Sequence, residues 1–260
     1  MFLRPLAFWN INRKLIPLKI IKLSATASTN DHLLELTRKE YPQEAILVYT
    51  TKQTNGRGQL GAQWYGEAGK SLAMSLFWPF ESMSADMLPA LGWSLSLAVK
   101  EVLEEQLSSG VLLKWPNDIM ADGRKLGGML VESQLRGKHL RSVVVGLGLN
   151  INNTHFPKDL RAVSLKQLSG KEHDLEAICL VLAEKMCAAM ESLTAQSGQR
   201  LLERYQEAQY GQGQWRTFET PSGQRFEAII AGITPKGLLI LRDRKNVYTN
   251  YDLKEIRYCF

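Results

Sequence analysis

The chain has 260 residues, of which 45% are hydrophobic and 22% charged, an ordinary composition for a globular protein with a sizeable core. Its net charge of +6 at pH 7 arises mainly within residues 1–22, which carry basic side chains and no acidic ones. Because the remainder is nearly balanced, the composition argues against a basic face for nucleic acid, and no apolar stretch is long enough to cross a bilayer.

The hydrophobic pattern predicts a mixed α/β region followed by a run of short strands. In chain order, the predicted elements are a strand at Leu18–Leu23, a helix from Ser28 to about Lys39, strands at Ala45–Tyr49 and Ser71–Trp78, a helix at Asp86–Gln106, strands at Val111–Trp115, Arg124–Glu132 and Ser142–Asn152, a loop at Asn153–Gly170, and helices at Leu175–Leu193 and Gln199–Tyr210. Alternating runs at Phe226–Ile233, Leu238–Leu241 and Asn246–Tyr251 then predict a small β-barrel-like unit.

The cysteines and histidines give no sign of disulfide, zinc or thiol chemistry. Cys179, Cys187 and Cys259 are odd in number and form no C-x-x-C pair, which favours free thiols in a reducing cytoplasm. The four histidines are scattered, and no spacing between them indicates a zinc site or a nucleophile pair.

The first candidate site segment is Ser28-Thr29-Asn30, at the predicted start of the first helix. Ser, Thr and Asn are preferred helix N-caps, because their oxygens accept the free amide protons of the first turn. A helix start is also a ready anion site, so capping and ligand binding are compatible here.

The next candidate is the stretch from Gln53 to Trp64, called the glycine loop below. Three glycines lie within six of its positions, and Arg57 stands between two of them. A bare, cationic loop beside an aromatic ring suits a phosphate-bearing ligand. The loop matches G-x-G-x-x-G, but six residues separate its first glycine from the preceding strand and no helical period follows, so a dinucleotide fingerprint is disfavoured.

A second polar group is predicted around a β-hairpin. A short apolar strand runs into Lys114-Trp115-Pro116-Asn117-Asp118, and Asp122-Gly123 is a strong two-residue turn signal. On the return strand, alternation puts Lys125, Gly127 and Met129 on one face, so the lysine would lie beside a missing side chain with room for a ligand. An exposed turn lysine accounts equally well for Lys125 from this segment alone.

The strand at Ser142–Asn152 is predicted to have one bare face. One side of it is apolar, whereas Gly146, Gly148 and Asn150 share the other side. Such a strand either packs closely against another part of the chain or lies beneath a ligand, and the spacing leaves both open.

Together these segments offer cations for phosphate oxygens, a carboxylate with a neighbouring amide able to hold Mg²⁺, and no nucleophile–base pair. That set suits attack by a substrate carboxylate on a nucleotide phosphate. In such a reaction the protein mainly positions groups and neutralises developing charge.

The ordered motifs resemble those of the biotin–protein ligase family over nearly the whole chain from about Leu18. Ser28-Thr29-Asn30 resembles the family's S-T-N helix start, and the glycine loop resembles Q-x-x-G-R-G-x-x-G-x-x-W. Lys114–Asp118 resembles K-W-P-N-D, Arg124–Gly128 resembles R-K-L-x-G, and Gly146–Asn150 resembles G-x-G-x-N. Five motifs in the same order are far more specific than any one of them.

The resemblance implies an ATP-dependent ligase that makes biotinyl-5′-adenylate from biotin and MgATP and then biotinylates a lysine of a biotin carboxyl carrier domain. It implies an α+β fold with a mixed sheet flanked by helices, like class II synthetases and biotin/lipoyl ligases. Residues 1–210 would form this catalytic domain, and residues 211–260 a small SH3-like β-barrel. The implied ligands are ATP, Mg²⁺ and biotin, without zinc, haem or NAD, in a cytoplasmic monomer or weak homodimer that binds neither nucleic acid nor membrane.

By position, the resemblance assigns catalytic roles to Lys125 and Arg57, with Lys125 bridging the biotin carboxyl and the α-phosphate. The residues that would bind biotin and its adenylate are Ser28, Thr29, Asn30, Gln53, Arg57, Gly58, Gln59 and Lys125. Those that would bind ATP are Gly56, Gly61, Trp64, Lys114, Asn117, Asp118 and Asn150, with Trp64 and Asn150 around the adenine and Asp118 as the magnesium ligand.

Two departures from the family pattern bear on function. Gln59 and Ala62 stand where family loops often carry a second and a third arginine, so we expect looser retention of the adenylate. Only 27 residues precede Ser28, too few for the winged helix-turn-helix of members that repress transcription, so a short form without a repressor role is expected.

Three alternatives remain open. Lipoate ligases and octanoyltransferases resemble this fold and run related acyl chemistry, although the K-W-P-N-D motif together with the glycine loop argues against them. A DNA-binding regulator would need a reading head and a basic face. A catalytically dead module that binds acyl carriers would have no need of Arg57, Asp118 and Lys125.

Overall fold

A computed structural model describes the protein at residues 17–39, 41–108 and 110–259. Within these ranges the chain forms fourteen β-strands and five α-helices. The strands are Leu18–Lys22 (β1), Ala45–Thr50 (β2), Gly56–Arg57 (β3), Gln63–Trp64 (β4), Ser71–Ser84 (β5), Val111–Lys114 (β6), Asp118–Ala121 (β7), Arg124–Arg136 (β8), His139–Asn150 (β9), Trp215–Glu219 (β10), Arg225–Ile233 (β11), Leu239–Arg242 (β12), Tyr248–Tyr251 (β13) and Arg257–Cys259 (β14). The helices are Thr29–Lys39 (α1), Leu88–Glu104 (α2), Leu165–Ser169 (α3), Leu175–Glu191 (α4) and Gly198–Glu207 (α5).

The main sheet of the described ranges has seven strands in the order β1-β2-β5-β9-β8-β7-β6. β1 pairs parallel with β2, and the other neighbours pair antiparallel, so the sheet is mixed as predicted. The long strands β5 and β9 lie at its centre and place their glycine-rich and small-residue ends beneath the glycine loop.

Helices cover both faces of this sheet, which confirms the predicted fold class. β2 shows how the sequence specifies the layers, because all six of its residues are buried and alternate side chains enter two different clusters. Leu47 and Tyr49 join the larger cluster with residues of α2, α4 and α5, whereas Ile46 and Val48 pack with Leu33 of α1. A strand buried on both faces is therefore continuously apolar rather than alternating.

Five strands near the C-terminus form a second, antiparallel sheet in the order β13-β12-β11-β10-β14, as far as the described residues extend. Its apolar side chains Phe218, Ile230 and Leu241 belong to the same buried cluster as Tyr205 of α5. In addition, the Trp115 Nε1–H donates a hydrogen bond to the Gly237 carbonyl oxygen at 2.9 Å. The small β unit therefore packs on the segment that carries the K-W-P-N-D motif, and a domain boundary near residue 210 stays a prediction.

The segment Asn153–Gly170, predicted as a loop, contains the short helix α3. The Ser164 side chain accepts a hydrogen bond from the Gln167 amide, and the Gln167 side chain accepts one from the Ser164 amide, which is a complete capping box. Gly170 ends the helix with a φ of +73°. Five residues are too few to show an apolar period, so the caps were the available signal.

Three adjacent central strands of the main sheet, β5, β9 and β8, run further than their apolar patterns. β5 continues to Ser84, β8 continues to Arg136 and β9 already begins at His139. The ends of these strands are partly exposed and carry many polar side chains. Their apolar pattern therefore does not reveal that they pair with neighbouring strands. In the part of the chain that the structure describes, no helix has the length and hydrophobicity to span a bilayer.

Lowering the pH below 6.5 is expected to destabilise the fold through His173. Burial, with a smaller contribution from Lys171, lowers the pKa of this imidazole from its ordinary value of 6.5. The unfolded chain then binds more protons than the folded chain below that pH, so the free energy of unfolding decreases on acidification.

Urea unfolding at about pH 7 and about pH 5.5 measures this effect. His173→Gln should lose part of the pH dependence, and His155→Gln, at an exposed position, is the matched control. The same pH dependence in wild type and His173→Gln would contradict the assignment.

Candidate active site

Most of the predicted site residues line one open cavity of about 370 Å³ over the central strands of the main sheet. The predicted residues in its wall are Ser28, Thr29, Asn30, Gln53, Arg57, Gly58, Gln59, Trp64, Asn117, Asp118, Lys125, Gly146 and Gly148. The fold thus brings together five segments that are far apart in the chain. Their functional roles stay predictions, but their proximity is a structural fact.

The helix start at Ser28–Asn30 is buried and hydrogen-bonded into the cavity wall. The Ser28 hydroxyl accepts from the Asp31 amide at 3.3 Å, which is the capping contact. The Thr29 amide donates to Gln53 Oε1 at 2.9 Å, and Asn30 Oδ1 lies 2.5 Å from the Ser75 hydroxyl. The segment is therefore both a helix cap and part of the cavity wall, so the two explanations of its sequence are compatible.

The glycine loop forms a two-stranded ribbon, in which Gly56 of β3 pairs with Trp64 of β4. A Cβ added at Gly56 would lie 2.6 Å from Gln53 Nε2 and 2.9 Å from the Trp64 carbonyl oxygen, so only glycine fits. At the tip, Gly61 has a φ of +80° and the preceding Leu60 is exposed. Gly56 and Gly61 therefore shape the loop, while Gly58 and Gln59 line the cavity.

Arg57 lies between two carboxylates that the motifs did not indicate. Its Nη2 is 2.5 Å from Asp31 Oδ1 and 3.1 Å from Glu132 Oε2. Glu132 also accepts a hydrogen bond from Asn30 Nδ2 at 2.7 Å. The predicted catalytic arginine is thus tied to α1 and to β8 at once.

Asp118 is shared by two lysines. Lys114 Nζ lies 2.7 Å from its Oδ2, and Lys125 Nζ lies 2.5 Å from its Oδ1. Burial alone would raise the pKa of the Asp118 carboxyl, but the two ammonium groups outweigh burial and hold that pKa below its ordinary value. Lys114 also lies 4.9 Å from the centre of the Tyr258 ring, a cation–π contact with the second sheet.

The donor set around Asp118 does not fit a magnesium ion held by the protein. Both carboxylate oxygens already contact ammonium groups, and a metal would have to displace one of them. Over the described ranges, no group of three or more His, Cys, Asp or Glu side chains could hold a metal. We therefore assign no step to a metal at Asp118.

The predicted alternation along β8 is wrong at Gly127. A bulge between Ile119 and Met120 of β7 leaves Leu126 as an extra residue, which shifts the alternation by one position. Gly127 consequently faces the Leu149 side chain, and a Cβ at Gly128 would lie 3.4 Å from Lys125 Nζ. The missing side chain beside Lys125 is therefore that of Gly128.

The bare face of β9 is covered by side chains of the site itself. A Cβ at Gly148 would lie 2.5 Å from the Trp64 ring, and one at Gly146 would overlap the Asn30 side chain. The glycines thus allow Trp64 and Asn30 to approach the sheet. On the other face, Val143, Val145, Leu147 and Leu149 are buried in the main core, as predicted.

Four of the residues assigned to ATP do not line the cavity, namely Gly56, Gly61, Lys114 and Asn150. Asn150 is buried, and its Nδ2 donates to the Val163 carbonyl at 3.2 Å and the Lys125 carbonyl at 3.4 Å. Its side chain supports the backbone of Lys125 rather than facing the cavity. Lys114 likewise acts on the site through Asp118.

Other lining residues were missed by the sequence analysis. Arg257 comes from β14 of the second sheet, Leu253 comes from the turn between β13 and β14, and Met74 comes from β5. No local motif marks them, because only the packing of the C-terminal unit brings its residues to the cavity. The acidic residue after Ser28-Thr29-Asn30 was visible, but nothing in the sequence related it to Arg57.

Comparisons with known proteins identify related sequences and structures. Residues 23–150 match the model of the biotin/lipoate A/B protein ligase family. The bifunctional ligase/repressor BirA of Bacillus subtilis is 35% identical over 152 residues, which cover 57% of this chain and 46% of that protein. A biotin–acetyl-CoA-carboxylase ligase of Mycobacterium tuberculosis is 27% identical over 230 residues, which cover 84% of this chain and 81% of that protein.

Among solved structures, the biotin protein ligase from Aquifex aeolicus in complex with biotin and ATP is similar, with a TM-score of 0.73 and 24% identity. The similarity covers 93% of this chain and 98% of that one. The fold is thus similar to that of a biotin protein ligase. Residues 23–150 match the family model, so that part of the chain belongs to the biotin/lipoate A/B protein ligase family. It spans about half the length of the Bacillus relative, 46%.

Proposed function

We propose that this protein is an ATP-dependent biotin–protein ligase. In the first step, a biotin carboxylate oxygen would attack the α-phosphorus of MgATP, the bond to the bridging oxygen of the β-phosphate would break, and pyrophosphate would leave. In the second step, a lysine amine of the acceptor would attack the acyl carbon of biotinyl-5′-AMP, release AMP and lose a proton. Magnesium enters this scheme with the nucleotide, as part of the substrate.

The observation that carries the proposal is one cavity with cationic and uncharged polar walls. Lys125 and Arg57 offer positive charge for carboxylate and phosphate oxygens, whose negative charge is redistributed in the transition state. Thr29, Asn30 and Gln53 offer amide and hydroxyl groups for a neutral polar ring. Such a cavity can orient a molecule with a polar ring at one end and a carboxylate at the other.

The uncharged wall favours biotin over lipoate. A ureido ring carries two N–H donors and a carbonyl acceptor, whereas a dithiolane ring carries none of these. A site with buried hydrogen-bonding groups rejects a ligand that leaves them unpaired more strongly than an apolar pocket rejects one extra methylene. Ser28, Thr29 and Asn30 already make hydrogen bonds within the protein, but a hydroxyl or a primary amide can make more than one. Their remaining capacity, in a buried wall, supports biotin.

Ligand-dependent ATP–pyrophosphate exchange tests the proposal. Biotin, lipoate and octanoate are compared at equal concentration, and exchange with biotin alone is the expected result. Exchange with lipoate instead would assign the protein to lipoate ligation, which the family also includes. No exchange with any acid would overturn the enzyme assignment and favour a module that binds acyl carriers.

The acceptor in this proposal is a biotin carboxyl carrier domain in the cytoplasm, where ATP is available. The name of the Mycobacterium relative, a biotin–acetyl-CoA-carboxylase ligase, supports such an acceptor. Labelled biotin should appear on a recombinant carrier domain and not on a variant whose acceptor lysine is arginine. Sedimentation would test the predicted monomer or weak homodimer.

Gln59→Arg is expected to slow the release of preformed biotinyl-5′-AMP about tenfold. Gln59 lines the cavity, its Oε1 is buried and has no hydrogen-bond partner in the described part of the protein, and the family often carries arginine there. A charge-assisted hydrogen bond to the phosphate contributes about 1.5–3 kcal/mol, which is at least tenfold in a dissociation rate. Rapid dilution of the labelled complex measures that rate.

The matched control for this prediction is Thr54→Arg. It adds the same charge at an exposed position of the same loop outside the cavity wall. An unchanged release rate in Gln59→Arg, or an equal slowing in both variants, would mean that position 59 does not contact the adenylate.

A further inference from the structure

The two carboxylates around Arg57, Asp31 and Glu132, are called the acidic pair here. They come from α1 and β8, whereas Arg57 lies on the short strand β3 of the glycine loop. Neither belongs to the residues that the motifs assigned to the site. Two negative charges beside an arginine that should receive an anionic ligand require an explanation, because like charges repel and weaken binding.

The acidic pair engages one nitrogen of the guanidinium. In the described residues, the hydrogen bonds of Arg57 to Asp31 and Glu132 all come from Nη2. A guanidinium has five N–H donors, of which Nη2 carries two. The donors on Nε and Nη1 are therefore left for a ligand while the acidic pair stays bound.

Glu132 is itself held by a residue of the cavity wall, Asn30. Its side chain is only 28% exposed, and its Oε2 accepts from Asn30 Nδ2 at 2.7 Å. Asn30 in turn accepts from the Ser75 hydroxyl of β5 at 2.5 Å. The carboxylate of Glu132 thus joins the helix start and the glycine loop to the central sheet through side chains that are already fixed.

Close to Arg57, the loop is also attached through the Thr54 and Asn55 amides, which donate hydrogen bonds to the Thr26 and Ala27 carbonyl oxygens at 3.0 and 2.9 Å. Trp64 lies against Gly148 on the other strand of the ribbon, and the loop tip at Leu60 is exposed. The ion pairs of Arg57 therefore add a side-chain attachment of β3 to α1 and β8 beyond these backbone contacts. Partly exposed ion pairs are individually weak, but two carboxylates on one arginine act as a network.

We propose that Asp31 and Glu132 are positioning residues, which fix the Arg57 guanidinium and with it the glycine loop at the edge of the cavity. The expected effect on catalysis rests on the proposed function. The expected effect on the mobility of the loop does not. The opposite role, in which the acidic pair competes with the ligand for Arg57, predicts effects of opposite sign.

The structural consequence is measured without ligand, by hydrogen–deuterium exchange of the amides at residues 55–64. Asp31→Asn and Glu132→Gln should each speed exchange in this segment several-fold. In an Arg57→Met background the segment should already exchange fast, and neither substitution should add to it. Glu35→Gln, which removes an exposed carboxylate from the same helix, is the matched control.

The kinetic consequence is measured by biotin-dependent ATP–pyrophosphate exchange. We expect each substitution to lower kcat about tenfold, with thermal melting close to wild type. A lower KM for biotin or ATP would overturn the proposal in favour of competition. Unchanged amide exchange, or equal increases with and without Arg57, would overturn it as well. If wild type lacks biotin-dependent exchange, the proposed function fails, while the amide-exchange cycle still decides the role of the acidic pair.

Discussion

Replacing Lys125 with alanine is expected to lower kcat for biotin-dependent ATP–pyrophosphate exchange by about 10²–10³-fold, the usual cost of removing one preorganised group that stabilises developing charge. Lys125 lines the cavity, and Asp118 holds its ammonium group at 2.5 Å. The bulge opposite Ile119 places Gly128 beside it, so no side chain blocks a ligand there. In the proposed reaction this ammonium group lies against the carboxylate and α-phosphate oxygens.

Arg124→Ala is the matched control for this prediction. It removes a cation from the neighbouring position of the same strand, where Arg124 pairs with Asp122 at the exposed turn and does not line the cavity. Exchange should stay near the wild-type rate in this variant. Lys125→Arg should recover little activity, because a guanidinium is a planar fork rather than a compact ammonium. Similar losses in the Arg124 and Lys125 variants would indicate a general charge effect and contradict the assigned role.

The layers of the fold were predictable because each depends on short-range periodicity. The buried strand β2 is continuously apolar, and α2 has a helical apolar period, so both were predicted close to their observed bounds. Features that depend on the pairing of strands were not predictable from the sequence. The polar ends of β5, β8 and β9 pair with one another, and no local pattern reports a partner strand.

The site was predictable to the extent that its residues lie in compact motifs. The helix start, the glycine loop and Lys125 were all found, and the cavity joins them. The partners of these residues were not predictable. Asp31, Glu132 and Tyr258 contact Arg57 or Lys114 only because the fold brings distant segments together. One bulged residue, Leu126, was enough to exchange the roles of Gly127 and Gly128. Motifs therefore indicate which residue types the site contains, whereas the contacts between those residues depend on tertiary packing.

Asp118→Asn is expected to destabilise the protein by about 3 kcal/mol and to slow pyrophosphate exchange. Removing one partner of a buried ion pair costs about 3–5 kcal/mol, because the remaining charge stays buried. Lys114 is 13% exposed, so its ammonium group would stay buried without a partner. Lys125 is 40% exposed and can be hydrated, so we expect a destabilisation at the low end of this range. The Tyr258 ring near Lys114 offsets part of the loss. Exchange should slow because Lys125 loses the carboxylate that holds it.

Urea unfolding of Asp118→Asn and of Asp122→Asn separates the buried network from a surface pair in the same hairpin. Asp122 pairs with Arg124 at the exposed turn, and such pairs contribute about 0–1 kcal/mol. Because the lysines lower the pKa of Asp118, its stabilisation is complete above the ordinary value of 3.8 and is lost as the pH falls through the folded-state pKa. The unfolding free energies of wild type and Asp118→Asn should therefore converge in acid. Equal losses in the two variants at neutral pH, or a difference that persists in acid, would mean that the Asp118 carboxylate does not hold the two lysines together.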